Sequence, residues 1–222
     1  EACLIAYHTP LYIPWKGKTE RGWPHIALFG DTTTGKRIPR EIARALGLGT
    51  YVIMETASRT GLLYTIQYLP GRTPVAVLGE FCLADKQLLI IDGYDRMNKE
   101  VKDEFREAFR QGILKVRRDV KISAPMRVRL ITCENAPRPL SHYMYPCKAL
   151  LDNYKPEHIA RIDLAIPFAA EDVPTELFMR PWEEAPEDLP EIIEALRCNV
   201  LWAWSLKPEE VEFTPDALEY LF

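Results

Sequence analysis

Two short stretches carry residue types that could do chemistry on a polyphosphate. The first is "GDTTTGK", residues 30–36. Gly30 and Gly35 let the backbone curl until its N–H groups face an anion. Asp31, Thr32, Thr33 and Thr34 make the curl, and Lys36 would reach the β- and γ-phosphates of a nucleotide. An apolar run precedes the stretch and a helical pattern follows it, so a helix would add its positive end. That context is the one a phosphate-binding P-loop requires. A glycine-containing turn with a snorkelling lysine is the plainer alternative.

The motif ordinarily continues with Ser or Thr, whose hydroxyl ligates magnesium. Arg37 stands there instead, and arginine cannot ligate a cation. It would supply charge against phosphates or point to solvent. The second stretch is "LLIIDGYDRM", residues 88–97. Asp92 ends its apolar run, where an aspartate would help to hold magnesium with water completing the shell. A solvated loop aspartate is the alternative. Gly93 follows, where hydrolysis needs a group to orient or deprotonate water. Losing such a base costs roughly 10²–10⁴ in rate. Asp95 would point elsewhere if the chain stayed extended.

The elements around these stretches alternate between strand and helix. "HIALFG" (25–30) reads as a buried strand, "GKRIPREIARALGLG" as a helix ended by Gly47 or Gly49, and "TYVIME" (50–55) as a second strand. "TASRTGLLYTIQ" (56–67) opens as a helix capped by Thr56 or Ser58, followed by an extended, hairpin-like excursion. "KQLLIID" (86–92) has the pattern of a buried parallel strand. Residues 98–112 form the clearest helix, with Asn98 as cap, Val101, Phe105, Ala108 and Phe109 on its apolar face, and Gly112 at its end. Residues 113–135 alternate as a hairpin leading into another strand, and "RIDLAIPF" (161–168) is the last strand. The first eight residues could end a helix, and "TPLYIPWKGKTERGWP" reads as a loop. The alternation predicts an α/β fold with a parallel sheet flanked by helices. The division is a lead-in over 1–24, a core over 25–170, a Pro- and acid-rich linker over 171–187 and a helical segment over 188–222.

In this order "HIALFGDTTTGK", "GEFCLADKQLLIIDGYDRMNKEVKDEFREAFRQG", a basic hairpin, "LITCENAP" and "HIARIDL" resemble the AAA+ module of the minichromosome maintenance (MCM) replicative helicases. The likeness covers roughly residues 20–168. It implies a P-loop AAA+ core with β-hairpin insertions and a truncated C-terminal helical lid. Lys36 then matches the Walker A lysine and Asp92 the Walker B aspartate, with Gly93 where the family has glutamate. Asn135 matches the sensor-1 asparagine, and Arg161 the arginine finger that acts in trans on a neighbour. Residues about 66–78 match the helix-2 insert. "KVRRDVK" (115–121) matches a DNA-contacting hairpin carrying Lys115, Arg117, Arg118 and Lys121, with Arg118 nearest its tip. The implied ligands are ATP or ADP with Mg2+, and the implied partners are DNA and other MCM-like subunits in a ring or hetero-oligomer.

Read without the resemblance, Asn135 is a turn residue and Arg161 a surface salt-bridge partner. Lys115, Arg117, Arg118, Lys121, Arg127 and Arg129 concentrate positive charge in a chain of net charge −4. Phosphate attraction explains that, and so does an edge hairpin protected by charge. Trp202 and Trp204 read as core or an oligomer contact, and the scattered histidines as structural. The five cysteines form no CxxC or Cys/His cluster, which favours reduced, intracellular thiols over disulfides or zinc. No apolar run reaches membrane-spanning length and no secretion leader is visible, so the expected setting is cytoplasmic and nucleoid-associated. The start at Glu1 suggests a piece of a longer chain. Two functions stay open: a nucleotide- and DNA-binding subunit with little hydrolysis of its own, and an active helicase subunit of a hexameric ring.

Overall fold

The computed structural model describes residues 1–117, 121–173 and 186–220. Helix α1 (Ala2–His8) leads into a hairpin of β1 (Tyr12–Trp15) and β2 (Lys18–Arg21). Then come β3 (His25–Gly30), α2 (Ile38–Leu46), β4 (Thr50–Ile53), the one-turn α3 (Arg59–Leu62), and a second hairpin of β5 (Tyr64–Gln67) and β6 (Val75–Leu78). The short α4 (Glu80–Leu83), β7 (Leu88–Asp92) and α5 (Lys99–Gln111) precede the third hairpin, β8 (Ile113–Arg117) with β9 (Lys121–Pro125). Strand β10 (Arg129–Asn135), helices α6 (Ala149–Asn153) and α7 (Pro156–Ile159), and β11 (Leu164–Phe168) complete the sheet. Helices α8 (Leu189–Ser205) and α9 (Pro215–Tyr220) follow.

The main sheet has five parallel strands in the order β11-β3-β10-β7-β4. Its central strands bury both faces, so β7 and most of β3 read as continuous apolar runs, while β10 also buries Arg129, Thr132 and Glu134. One face carries α5, where Phe105 and Phe109 pack with Phe81, Leu89 and Ile91. The other carries α1, α2 and α8 around Ile26, Leu28, Ile90 and Ile131. The α/β class with a parallel sheet and hairpin insertions is the one its sequence predicts.

Two local expectations change. Within residues 9–24, expected as a loop, 12–21 form a hairpin, because Lys16 and Gly17 take positive φ (48° and 75°) and fold β1 directly back on β2. The helix expected over 56–67 lasts one turn. Ser58 caps it by accepting from the Gly61 N–H at 3.1 Å, as proposed, but the aromatic and β-branched run from Tyr64 is a strand. Elsewhere the punctuation holds. Gly47 and Gly112 end α2 and α5 in the left-handed conformation, and Asn98 caps α5 by accepting from the Glu100 N–H at 2.9 Å. The segment 174–185, most of the expected linker, lies outside the described residues.

Candidate functional site

The parallel register brings the strand ends together. Gly30 stands level with Asn135 and with Phe168, and Asp92 with Cys133 and Ile53. Ligands of open α/β sheets lie at this carboxyl edge. A cleft of about 560 Å3 opens there, lined by Thr32–Arg37, Arg40, Tyr51, Ile53, Glu55, Asp92, Gly93, Arg96 and Asn135. The sequence-predicted loop, Asp92, Gly93 and Asn135 thus share one space.

Loop geometry explains the residue types in "GDTTTGK". Gly30 has φ 140°, and a Cβ there would sit 2.3 Å from the Phe168 carbonyl oxygen. The next N–H, of Asp31, donates to that same oxygen at 2.9 Å. The Asp31 carboxylate accepts from the N–H groups of Leu140 and Ala170, each at 2.9 Å, and so fixes the loop to the segments after β10 and β11. Its side chain braces the cradle and does not line it. Thr33 (φ 62°) and Gly35 (φ 86°) complete the curl. The buried Lys36 ammonium donates to the carbonyls of Gly30 and Asp31 and to Thr34 Oγ1. Burial lowers its pKa, while Cys133 and the Asp31, Asp92 and Asp95 carboxylates oppose that shift.

Arg37 occupies the N-cap of α2 without a side-chain capping bond, and Arg40 follows one turn later on the same face. The Arg40 guanidinium lies 5.0 Å from the centre of the Tyr51 ring. The Tyr51 hydroxyl in turn donates to Asp92 at 2.5 Å. Burial first, and then this bond, push the Tyr51 pKa up, so the phenol keeps its proton. On the far wall Arg96 pairs with Glu55. Arg40, Tyr51, Glu55 and Arg96 were not among the residues singled out by sequence. The three-residue spacing of Arg37 and Arg40 could have flagged the second arginine.

Gly93 adopts the left-handed conformation (φ 76°, ψ 37°) and starts a 3-10 turn over Tyr94–Arg96. The chain therefore does not stay extended, and Asp95 does not point away. Its carboxylate turns back and accepts from the Asn135 N–H at 3.2 Å. The set around Asp92 offers a directly held Mg2+ one free protein oxygen. The other Asp92 oxygen accepts from Tyr51, Glu55 is paired with Arg96, and Arg37 has no lone pair. Among the described residues no cluster of three or more His, Cys, Asp or Glu could hold a metal.

A family model for the MCM P-loop domain matches residues 9–155, well over half of the chain. The chain belongs to the MCM family. No curated protein matches it. Membership places it among AAA+ P-loop proteins of a replication-associated helicase family that generally bind ATP with Mg2+ and work as oligomers on DNA. No helix among the described residues of this MCM-family chain is long and apolar enough to cross a membrane.

Other predicted residues lie away from the cleft. Arg161 is exposed and lines a separate pocket of about 200 Å3 with Arg21, His25, Arg106, His158 and Asp163 among its other walls. Lys115 and Lys121 are exposed on the β8–β9 hairpin, where Arg117 is the backbone partner of Lys121. The Arg117 side chain and the whole of Arg118 lie outside the described residues. Arg127 and Arg129 leave the basic patch. Arg127 forms a two-bond pair with Asp85 (2.6 and 3.0 Å), and Arg129 is buried, donating to the Thr9 and Lys86 carbonyls. Burial lowers the Arg129 guanidinium to about 9, so it stays a cation at neutral pH. Trp204 is half-buried and donates to the Tyr7 carbonyl at 2.7 Å, whereas Trp202 is exposed.

Proposed function

We propose that this MCM-family protein binds ATP or ADP through Thr32–Arg37, with Lys36 on the phosphates, and hydrolyses it slowly or not at all. The carrying observation is the carboxyl edge of β7. Gly93 offers no side chain beside Asp92; of the other carboxylates, Glu55 lines the cleft but pairs with Arg96, and Asp95 accepts from the Asn135 N–H. Hydrolysis needs a group positioned on water, and its loss alone costs roughly 10²–10⁴ in rate. DNA binding is assigned to the β8–β9 hairpin through Lys115, Arg117, Arg118 and Lys121. Arg161, outside the cleft, is assigned to a neighbouring subunit's site, so that a subunit idle at its own site can activate another. Residues 25–170 act as the core module, and the helical segment over 188–222 as a lid.

The second reading, a working motor, draws on Asp95. The turn after Gly93 brings its carboxylate to the Asn135 side of the cleft, where a small shift could free it for water. ATP hydrolysis by the purified chain separates the two. The expected outcome is a rate at background that Lys36→Ala leaves unchanged. A robust rate abolished by both Lys36→Ala and Asp95→Asn would establish the motor. Mixing with an active MCM-family protein tests Arg161: an ATPase rate of the mixture indifferent to Arg161→Ala would end its assignment.

A further inference from the structure

We infer that the cleft takes its nucleotide as the free polyphosphate, without a divalent cation, arginines supplying the charge that a metal would. This rests on the reading of the cleft as a nucleotide site. Three observations carry it beyond that reading.

The first is the charge of the walls. Lys36, Arg37, Arg40 and Arg96 line the cleft with two carboxylates, Glu55 and Asp92, an excess of positive charge in the lining; Arg96 pairs with Glu55, and the Asp31 and Asp95 carboxylates lie outside the lining, held by backbone N–H groups. A divalent cation bound to a triphosphate cancels part of the ligand's negative charge. Such a complex gains less from these walls than the free anion does.

The second is the state of Asp92. Its carboxylate accepts from the Tyr51 hydroxyl at 2.5 Å, and Arg40 covers the Tyr51 ring. A cation approaching Asp92 finds one carboxylate oxygen free and the other shared with a phenol that keeps its proton, where the P-loop motif would add a second protein ligand. An incoming phosphate meets the opposite situation, since the Arg40 fork beside the ring is a donor suited to phosphate oxygens.

The third is Arg37. At the position of a metal-ligating hydroxyl stands an exposed guanidinium at the start of a nine-residue helix, beside the Lys36 ammonium. Helix end and side chain both favour an anion at that point. Arg96 is an available further donor. Its pair with Glu55 is about half exposed on both sides, 51% and 57%, and exposed pairs exchange partners at little cost.

The test is a calorimetric titration of the purified chain with ATP, once in EDTA and once in excess Mg2+. The expected result is a dissociation constant in EDTA as tight as in Mg2+ or tighter. Arg37→Ser and Arg40→Ala, both at exposed positions, should each weaken the EDTA binding about tenfold. Tyr51→Phe removes the hydroxyl on Asp92 and should improve binding in Mg2+ relative to EDTA. Binding that appears only with Mg2+ overturns the inference and leaves the nucleotide site standing. Binding in neither condition overturns the nucleotide site itself. Equal binding with and without metal that ignores both arginine substitutions overturns the role given to the arginines.

Discussion

At the scale of single residues, Gly93 is held by its backbone as much as by its missing side chain. A Cβ there would find room, its nearest neighbour being Met54 Cβ at 3.7 Å, but φ 76° is costly for any L side chain. Gly93→Ala should therefore destabilise the chain by about 1 kcal/mol in denaturant unfolding. Gly93→Glu should carry the same penalty in unfolding. Glu134 offers a second test. It is fully buried between Thr132 and Tyr154, with one carboxylate oxygen unpartnered, and desolvation raises its pKa from 4.5 to about 7. The unfolded chain then binds fewer protons than the folded one across that interval. Stability from this group is present below pH 4.5 and is lost as pH rises through about 7. The nearby His25 has the reverse sign. Burial lowers it from 6.5 to about 3, so it favours folding above 6.5 and penalises acidification between those values. Glu134→Gln removes only the first effect. Its unfolding free energy relative to the parent should improve between pH 5 and pH 8 by on the order of 3 kcal/mol. A difference independent of pH would show that Glu134 does not titrate in that range.

At the scale of elements, what the sequence revealed follows from where local signals are strong. Helix α5 was legible from cap to cap, because Asn98, the spacing of Val101, Phe105, Ala108 and Phe109, and Gly112 all speak for one structure. The P-loop was legible because Gly30 and Gly35 are needed for backbone reasons at fixed spacing. Hairpin β1–β2 was hidden, since Pro14 inside β1 weakens the strand pattern and Lys16 is a poor advertisement for positive φ. The inner wall of the cleft was hidden for a different reason. Tyr51 meets Asp92 only because β4 pairs with β7, a contact across the chain that no local window contains. The same limit placed Arg127 and Arg129 in a basic patch, when Asp85 and the interior claim them. The β8–β9 hairpin keeps Lys115 and Lys121 in solvent, and these belong to a prediction about DNA. Replacing both with alanine should weaken single-stranded DNA binding and reduce the slope of log affinity against log salt by roughly one to two. Anisotropy of a labelled oligonucleotide over a salt series reads both quantities. A slope unchanged by the double substitution would assign the charge to protection of a strand edge instead.

At the scale of the whole molecule, the sheet is closed on one face by α5 and on the other by α1, α2 and α8. Trp204 ties the last of these down, donating to the Tyr7 carbonyl and stacking near its ring with centroids 6.3 Å apart, while Arg129 lies over the indole. Trp202, two residues earlier, is 64% exposed. Trp204→Ala should cost about 2 kcal/mol in thermal or chemical unfolding, and Trp202→Ala less than about 0.5 kcal/mol. Similar costs for both would mean that α8 is not seated on α1 as described. Two indoles also lie on opposite sides of the sheet: Trp23 packs in the cluster under α5, and Trp204 against the one under α8. The cleft wall, by contrast, carries Tyr51 and no tryptophan among its described residues. Light thus distinguishes events that bulk binding curves merge. Indole emission from a variant keeping only Trp23 and Trp204 gauges whether either layer loosens from the sheet, the phenol absorption lost in Tyr51→Phe gauges the bond to Asp92, and a ligand that changes the second while leaving the first untouched has entered without unsettling the scaffold.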